Sequence, residues 1–280
     1  MLRVVDSLSK RDSDGSSILP TSTNGNAFPV RECVAHSAQC ATGFQNRIEL
    51  APAEVEFRRA VALAPSSATA HQWLATNLAA QGRIDQALPE ARGAITLDPL
   101  SAAAATDYAV VLLAARRYSE AAAAARRSLD LDSTFTFGHA VLAQIYGVSG
   151  KPDSALIELG LGDGDDPYAA WLRSAVPNDV IGWRGLAAWA YAAAGRDSDA
   201  EQMRARIAAD PRATGYEQAL AGLAVGDHDG AVAGLARGFA SHEILNDEET
   251  PGCSPVFDPL HQLASFRALM LRYGIWPCGS

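Results

Sequence analysis

The chain has 280 residues and a formal net charge of −9, and it contains no long basic run, so nucleic-acid binding is not expected. No apolar stretch is long enough to span a membrane, and no signal peptide is recognisable, so no contact with a membrane is expected either. Four cysteines do not make a disulfide framework, which favours a cytoplasmic location.

Residues 1–47 are the least regular part of the sequence. Ser, Asp, Gly, Asn and Thr crowd residues 7–26, which predicts a disordered or loosely ordered segment. Cys33, His36 and Cys40 lie close together, but a zinc site needs a fourth ligand and tighter spacing, so no metal is predicted.

A period of 34 residues follows. Residues 68–101, 102–135 and 136–169 each consist of a predicted helix, a turn and a second helix. Because the apolar positions are spaced by three and four, they share one helix face. The corresponding positions are Leu74, Ala75 and Leu78 in the first copy, Tyr108, Ala109 and Leu112 in the second, and Leu142, Ala143 and Tyr146 in the third.

The turns follow the same pattern. Gly82 and Gly150 stand where a helix ends in a left-handed residue, and Arg116 occupies that place in the middle copy. Residues 53–65 match the second helix of a further copy, whose first helix is hard to recognise.

These residues resemble the tetratricopeptide repeat (TPR) family, mainly through Leu74-Ala75, Leu78, Gly82, Ala87 and Leu97-Asp98-Pro99 and their equivalents at 34-residue steps. The resemblance implies an all-α fold, an α-solenoid of stacked antiparallel helix pairs with a concave protein-binding groove. An ordinary alanine-rich helical bundle is the alternative.

Beyond the third copy the pattern weakens. The acidic glycine-rich residues 160–167 predict a loop and fit neither an EF-hand nor a dinucleotide-binding turn. Helices are expected over residues 168–175, 181–194, 200–210, 215–225 and 230–240. Trp183 and Trp189 are expected to serve packing.

The C-terminal part consists of a predicted loop over residues 245–252 and a capping helix over residues 261–273. It resembles the end of many bacterial TPR regions attached to regulators and kinases. Leu263, Phe266, Leu269 and Leu271 are expected to cover the last repeat. Cys253 and Cys278 flank this helix; they could pair in an oxidising compartment, but free thiols are favoured.

These patterns divide the chain into an N-terminal segment (1–47), TPR-like repeats (48–169), degenerate TPR-like helix pairs (170–244) and a loop with a capping helix (245–280). No HExxH, GxSxG or P-loop pattern is present, so no catalytic, cofactor-binding or metal-binding residue is predicted. His71 and His139 share one repeat position, which favours a structural role.

In TPR proteins the first helix of each repeat lines the groove, and the resemblance places Trp73, Asp107 and Val141 at its edge. No cation occupies the groove positions, which disfavours a clamp for a C-terminal carboxylate. The positions implied to contact a partner are Gln72, Thr76, Thr106, Val110, Phe137, Ala140 and Gln144.

The sequence therefore favours a non-catalytic cytoplasmic scaffold of bacterial type that binds a protein or peptide and uses no cofactor. One alternative is the C-terminal regulatory or sensory TPR region of a multidomain bacterial regulator or kinase. The other is an enzyme with an unrecognised site, for which a deep pocket and a titrating residue with a shifted pKa would be expected.

Overall fold

The computed structural model describes residues 50–161, 183–241 and 251–275 together with Cys278. The chain divides into two units, residues 1–35 and residues 36–280, and every described residue belongs to the second unit. The predictions for residues 1–47, including Cys33, His36 and Cys40, and for residues 168–175 lie outside the described residues, as do most of the predicted loops over residues 160–167 and 245–252.

The described part is helical throughout and contains no strand, which confirms the all-α prediction. Apart from α1, a 3-10 helix (Pro255–Leu260) and α12, the helices form five antiparallel pairs. The helices are α1 (Leu50–Leu63), α2 (Ala68–Ala80), α3 (Ile84–Leu97), α4 (Ala102–Ala114), α5 (Tyr118–Leu131), α6 (Thr136–Val148), α7 (Pro152–Glu158), α8 (Trp183–Ala193), α9 (Asp197–Ala209), α10 (Gly215–Ala224), α11 (His228–Ala240) and α12 (Ala264–Arg272).

Local signals set the ends of the paired helices. The hydroxyl groups of Ser67 and Ser101 accept hydrogen bonds from the first turns of α2 and α4 and so cap their N-termini. At the end of α2, Gly82 has a φ of 77°, and the amide of Arg83 donates to the Leu78 carbonyl at 2.9 Å. This hydrogen-bond pattern is a Schellman motif, which needs a left-handed residue and reverses the chain into the next helix.

In the turn between α4 and α5, the left-handed residue is Arg116 and not glycine. Its φ is 61°, and it is the only described non-glycine residue with a positive φ. A left-handed conformation costs a residue with a Cβ atom about 1–2 kcal/mol. The other pairs have Gly82, Gly150, Gly195 and Gly226 at this position.

Small residues let the helices approach closely. Ala75, Ala109 and Ala143 are completely buried, as are Ala87, Ala121 and Ala155 in the second helices. Leu74, Leu112 and Leu142 fill the space beside them and are at most 2% exposed. The periodicity therefore identified the packing face of the first three pairs correctly.

The pairs stack so that the first helices form one layer. α2 contacts α4, α4 contacts α6, α6 contacts α8, and α8 contacts α10. The second helices pack mainly against the first helix of their own pair and of the following pair. We call the surface formed by α2, α4, α6, α8 and α10 the inner face. None of the described helices is both long and apolar enough to cross a membrane.

The C-terminal part differs from the prediction. Residues 255–260 form a 3-10 helix, and the following helix begins at Ala264 and not at residue 261. Phe266 and Met270 are completely buried, whereas Leu271 is 51% exposed. The prediction that Leu271 covers the last repeat is therefore wrong, because it lies on the face of α12 that points to solvent.

Candidate partner-binding face

The seven groove positions implied by the resemblance fall into two groups. Gln72, Phe137, Ala140 and Gln144 are partly exposed on the inner face. Thr76, Thr106 and Val110 are 2%, 0% and 6% exposed. In this conformation, only the first group is accessible to a partner.

Thr106 is buried between the two helices of its own pair, and its hydroxyl group makes a hydrogen bond there. It donates to Ser128 Oγ on α5 at 2.7 Å, and Ser128 Oγ donates in turn to the carbonyl oxygen of Ala102 at 2.8 Å. This chain of hydrogen bonds satisfies both buried hydroxyl groups. Thr76 likewise donates to the Trp73 carbonyl of its own helix. Both threonines therefore lie beneath the surface of the inner face, and their hydroxyl groups donate hydrogen bonds within the protein.

Asp107 and Gln72 link the first two pairs. The amide Nε2 of Gln72 donates to Asp107 Oδ2 at 2.7 Å. Asp107 is only 9% exposed, and this burial raises its pKa to about 7, although the hydrogen bond from Gln72 favours the charged form. An acid that titrates near neutral pH therefore lies beside the partly exposed Gln72.

The described residues do not combine this acid with catalytic partners. Its hydrogen-bond partner Gln72 is an amide and cannot exchange protons. A shallow depression lies elsewhere, on helix α3, and is lined by residues between Leu88 and Thr96. Within the described ranges, no three His, Cys, Asp or Glu side chains converge to hold a metal ion.

His71 and His139 occupy equivalent places two repeats apart. His71 Nδ1 lies 2.6 Å from Glu90 Oε2, and its Nε2 lies 3.0 Å from the Pro65 carbonyl oxygen. His139 makes the same pair of contacts with Glu158 and Ser133. Each ring joins the second helix of its pair to the loop before the first helix, in agreement with the expected structural role.

The sequence missed a contact between the C-terminal part and the inner face. We call residues 251–275 the C-terminal segment. Its 3-10 helix packs against α6 and α11, and the ring of Phe257 lies 5.8 Å from that of Tyr216 on α10. Asp258 Oδ1 also accepts a hydrogen bond from Arg116 Nη2 at 2.6 Å. Arg116 stands out in the sequence as the residue that replaces glycine in this turn, but nothing in the repeat pattern indicates its partner.

Cys253 and Cys278 correct a further expectation, because the structure joins them in a disulfide. The amide of Cys278 donates to the Gly252 carbonyl at 2.8 Å, so the backbone brings the two residues together. Cys278 Sγ also lies 3.8 Å from the Gly82 carbonyl oxygen in the turn of the first described pair. These two cysteines are therefore not free thiols.

Comparison with known structures identifies the fold. TTC0263, a thermophilic TPR protein of Thermus thermophilus, superposes with a TM-score of 0.53 at 16% identity, over 76% of this chain and all of that protein. PilF of Pseudomonas aeruginosa superposes with a TM-score of 0.52 at 19% identity, over 78% of this chain and 96% of that one. No family model matches the sequence, and neither does any curated protein.

Proposed function

We propose that this chain, which has the fold of TPR proteins, is a non-catalytic scaffold that binds a protein or peptide on its inner face. The observation that carries the proposal is the row of partly exposed amide and apolar side chains on the first helices α2 and α6, which flank α4: Gln72, Phe137, Ala140 and Gln144. Such a row spans three repeats and suits an elongated ligand.

The chemistry of this row favours a peptide over a small charged ligand. Gln72 and Gln144 each offer a donor and an acceptor, which suits backbone or side-chain amides of a partner. Phe137 supplies apolar area at a low entropic cost. A helix or an extended peptide with alternating apolar and polar contacts fits this pattern.

The test is affinity capture from native lysate with read-out by mass spectrometry. The wild-type chain is compared with a Gln72→Arg, Gln144→Arg double variant, which adds two positive charges to the inner face. The matched control is Ala123→Arg with Ala205→Arg, which adds the same charges at exposed positions of the outer helices α5 and α9.

A partner captured by the wild type and by the control variant, but not by the inner-face variant, would support the proposal. Equal capture by all three chains would exclude the inner face as the binding surface. Circular dichroism of each variant verifies that the helices remain folded.

The regulatory or sensory alternative is favoured by one feature, the turn at Phe257-Asp258-Pro259-Leu260 followed by α12, which resembles the end of regulator-linked TPR regions. It predicts that the inner face binds a domain of the same polypeptide. If none of the three chains captures a partner in trans, this alternative is favoured.

The cellular compartment also belongs to the proposal. The expectation of a cytoplasmic location depended on the cysteines being reduced, and the Cys253–Cys278 disulfide removes that support. Stable disulfides are typical of oxidising compartments. We therefore favour an oxidising compartment, and thiol labelling of the freshly isolated native protein tests this choice.

A further inference from the structure

The first part of the C-terminal segment is enclosed and does not merely lie on a surface. Residues 251–257 are all buried, seven in succession. A strand or helix packed on one side only would expose alternate residues or one stripe. Phe257 is completely buried, and Val256 is 2% exposed. This stretch is therefore inserted between other parts of the chain.

The segment connects elements that are distant in the sequence. On one side Phe239 of α11 stacks on Tyr273 with a centroid distance of 4.7 Å. On the other side the 3-10 helix contacts α6, and Asp258 pairs with Arg116 in the turn after α4. The segment therefore extends from the last pair to the second and third described pairs.

The disulfide joins the start of this segment to a residue just beyond its end. Cys253 lies near the start of the buried stretch, and Cys278 lies beyond α12, 25 positions further along the chain. Cys253 is completely buried, whereas Cys278 is partly exposed. A dithiol in solution therefore reaches the disulfide from the Cys278 side.

We propose that the C-terminal segment is an internal ligand of the inner face, held in place by the Cys253–Cys278 disulfide and released more often when a dithiol reduces that bond. In the reduction, a thiolate of the dithiol attacks Cys278 Sγ and Cys253 leaves as a thiolate. The second thiol of the dithiol then attacks the first dithiol sulfur, the bond from that sulfur to Cys278 Sγ breaks, and Cys278 leaves as a thiolate. Two electrons and two protons pass to the cysteines, and the dithiol becomes a disulfide.

The expected effect follows from the loop that the disulfide closes. A cross-link over a loop of this length restricts the conformations of the released segment and so makes its release rarer by about a hundredfold. Buried apolar side chains such as Phe257, Leu260 and Phe266 keep the segment bound most of the time in either redox state. Reduction therefore changes the frequency of opening and does not unfold the solenoid.

Hydrogen exchange of the full chain tests this proposal. A Cys33→Ala, Cys40→Ala background leaves Cys253–Cys278 as the only bond on which dithiothreitol can act. Amides in residues 251–263 are expected to exchange about a hundredfold faster on reduction. One of them is the amide of Phe257, which donates to the Ser254 carbonyl. Amides of α5 should keep their rates.

Hydroxyl-radical footprinting provides a second readout of the uncovered face. Tyr216 is 5% exposed beside Phe257, so its oxidation should rise on reduction, whereas the oxidation of Phe57, buried far along the chain, should not. A Cys253→Ala, Cys278→Ala variant should behave like the reduced chain without any dithiol.

Unchanged exchange and footprinting on reduction would overturn the proposal and make the segment a permanent part of the core. Equal acceleration in α5 would also overturn it, because the disulfide would then stabilise the whole solenoid. If the double variant does not fold, the reduced chain with its native Cys253 and Cys278 still decides between these outcomes. No partner is used, so the result is independent of the proposed scaffold function.

Discussion

Replacing Asp107 with asparagine should remove a pH-dependent loss of stability. Burial raises the pKa of Asp107 from 3.8 to about 7, so the folded chain binds this proton more tightly than the unfolded chain. Between these two pH values the folded state holds more protons, and the stability therefore falls as the pH rises. Below pH 3.8 both states are protonated, and the group has no effect.

The raised pKa of Asp107 gives the size of this loss of stability. One pKa unit corresponds to about 1.4 kcal/mol, so the raised pKa of Asp107 costs about 4 kcal/mol above pH 7. An asparagine side chain has nearly the same shape as aspartate and carries no charge. We therefore expect Asp107→Asn to be more stable than the wild type at pH 8 and about equally stable at pH 4.

Urea unfolding followed by circular dichroism at pH 4, 6 and 8, at constant ionic strength, measures the difference between the two chains. Taking the difference cancels the titration of groups that the substitution does not touch. A difference that is constant across this range would refute the reasoning, since the charge of Asp107 would then carry no folding penalty.

Four further substitutions test the packing, a buried ion pair and a helix cap, and thermal unfolding measures each. Leu112→Asp places a charge at a completely buried position and should cost more than about 4 kcal/mol, whereas Leu271→Asp at a half-exposed position should change the stability by less than about 0.5 kcal/mol. Arg184→Ala leaves Glu217, which is 2% exposed, without its two hydrogen bonds from the guanidinium and should cost about 3–5 kcal/mol. Ser101→Ala removes the cap of α4 and should cost about 1 kcal/mol. A comparable loss for Leu112→Asp and Leu271→Asp, or no loss for Arg184→Ala or Ser101→Ala, would contradict these assignments.

The features that the sequence predicted well are local. Ala75, Ala109 and Ala143 recur at one spacing, and the contact between the two helices of a pair needs no information from elsewhere in the chain. The glycine turns are equally local, because the left-handed residue and its hydrogen bonds lie within six residues. For this reason the repeat fold could be inferred without the structure.

The burial of residues on the candidate face could not be predicted from the sequence, because it depends on contacts with other helices. The register places Thr106 on the inner side of α4 but does not reveal that Ser128 accepts its hydrogen bond. The approach of Asp258 to Arg116 joins residues 142 positions apart, and no periodicity encodes such a distance. The disulfide was the less favoured alternative for the same reason, since pairing depends on the geometry around both cysteines.

Arg116 combines a local feature, its left-handed turn, with a contact to a residue that is distant in the sequence. The left-handed backbone of Arg116 costs about 1–2 kcal/mol of stability, and its ion pair with the half-exposed Asp258 contributes at most about 1 kcal/mol. Stability alone would therefore favour glycine, the residue found in the other described turns of this type. An arginine at this position has one physical consequence that glycine cannot supply, which is a charged contact to the C-terminal segment. The turn that deviates from the repeat pattern is thus the turn that forms an ion pair with the C-terminal segment.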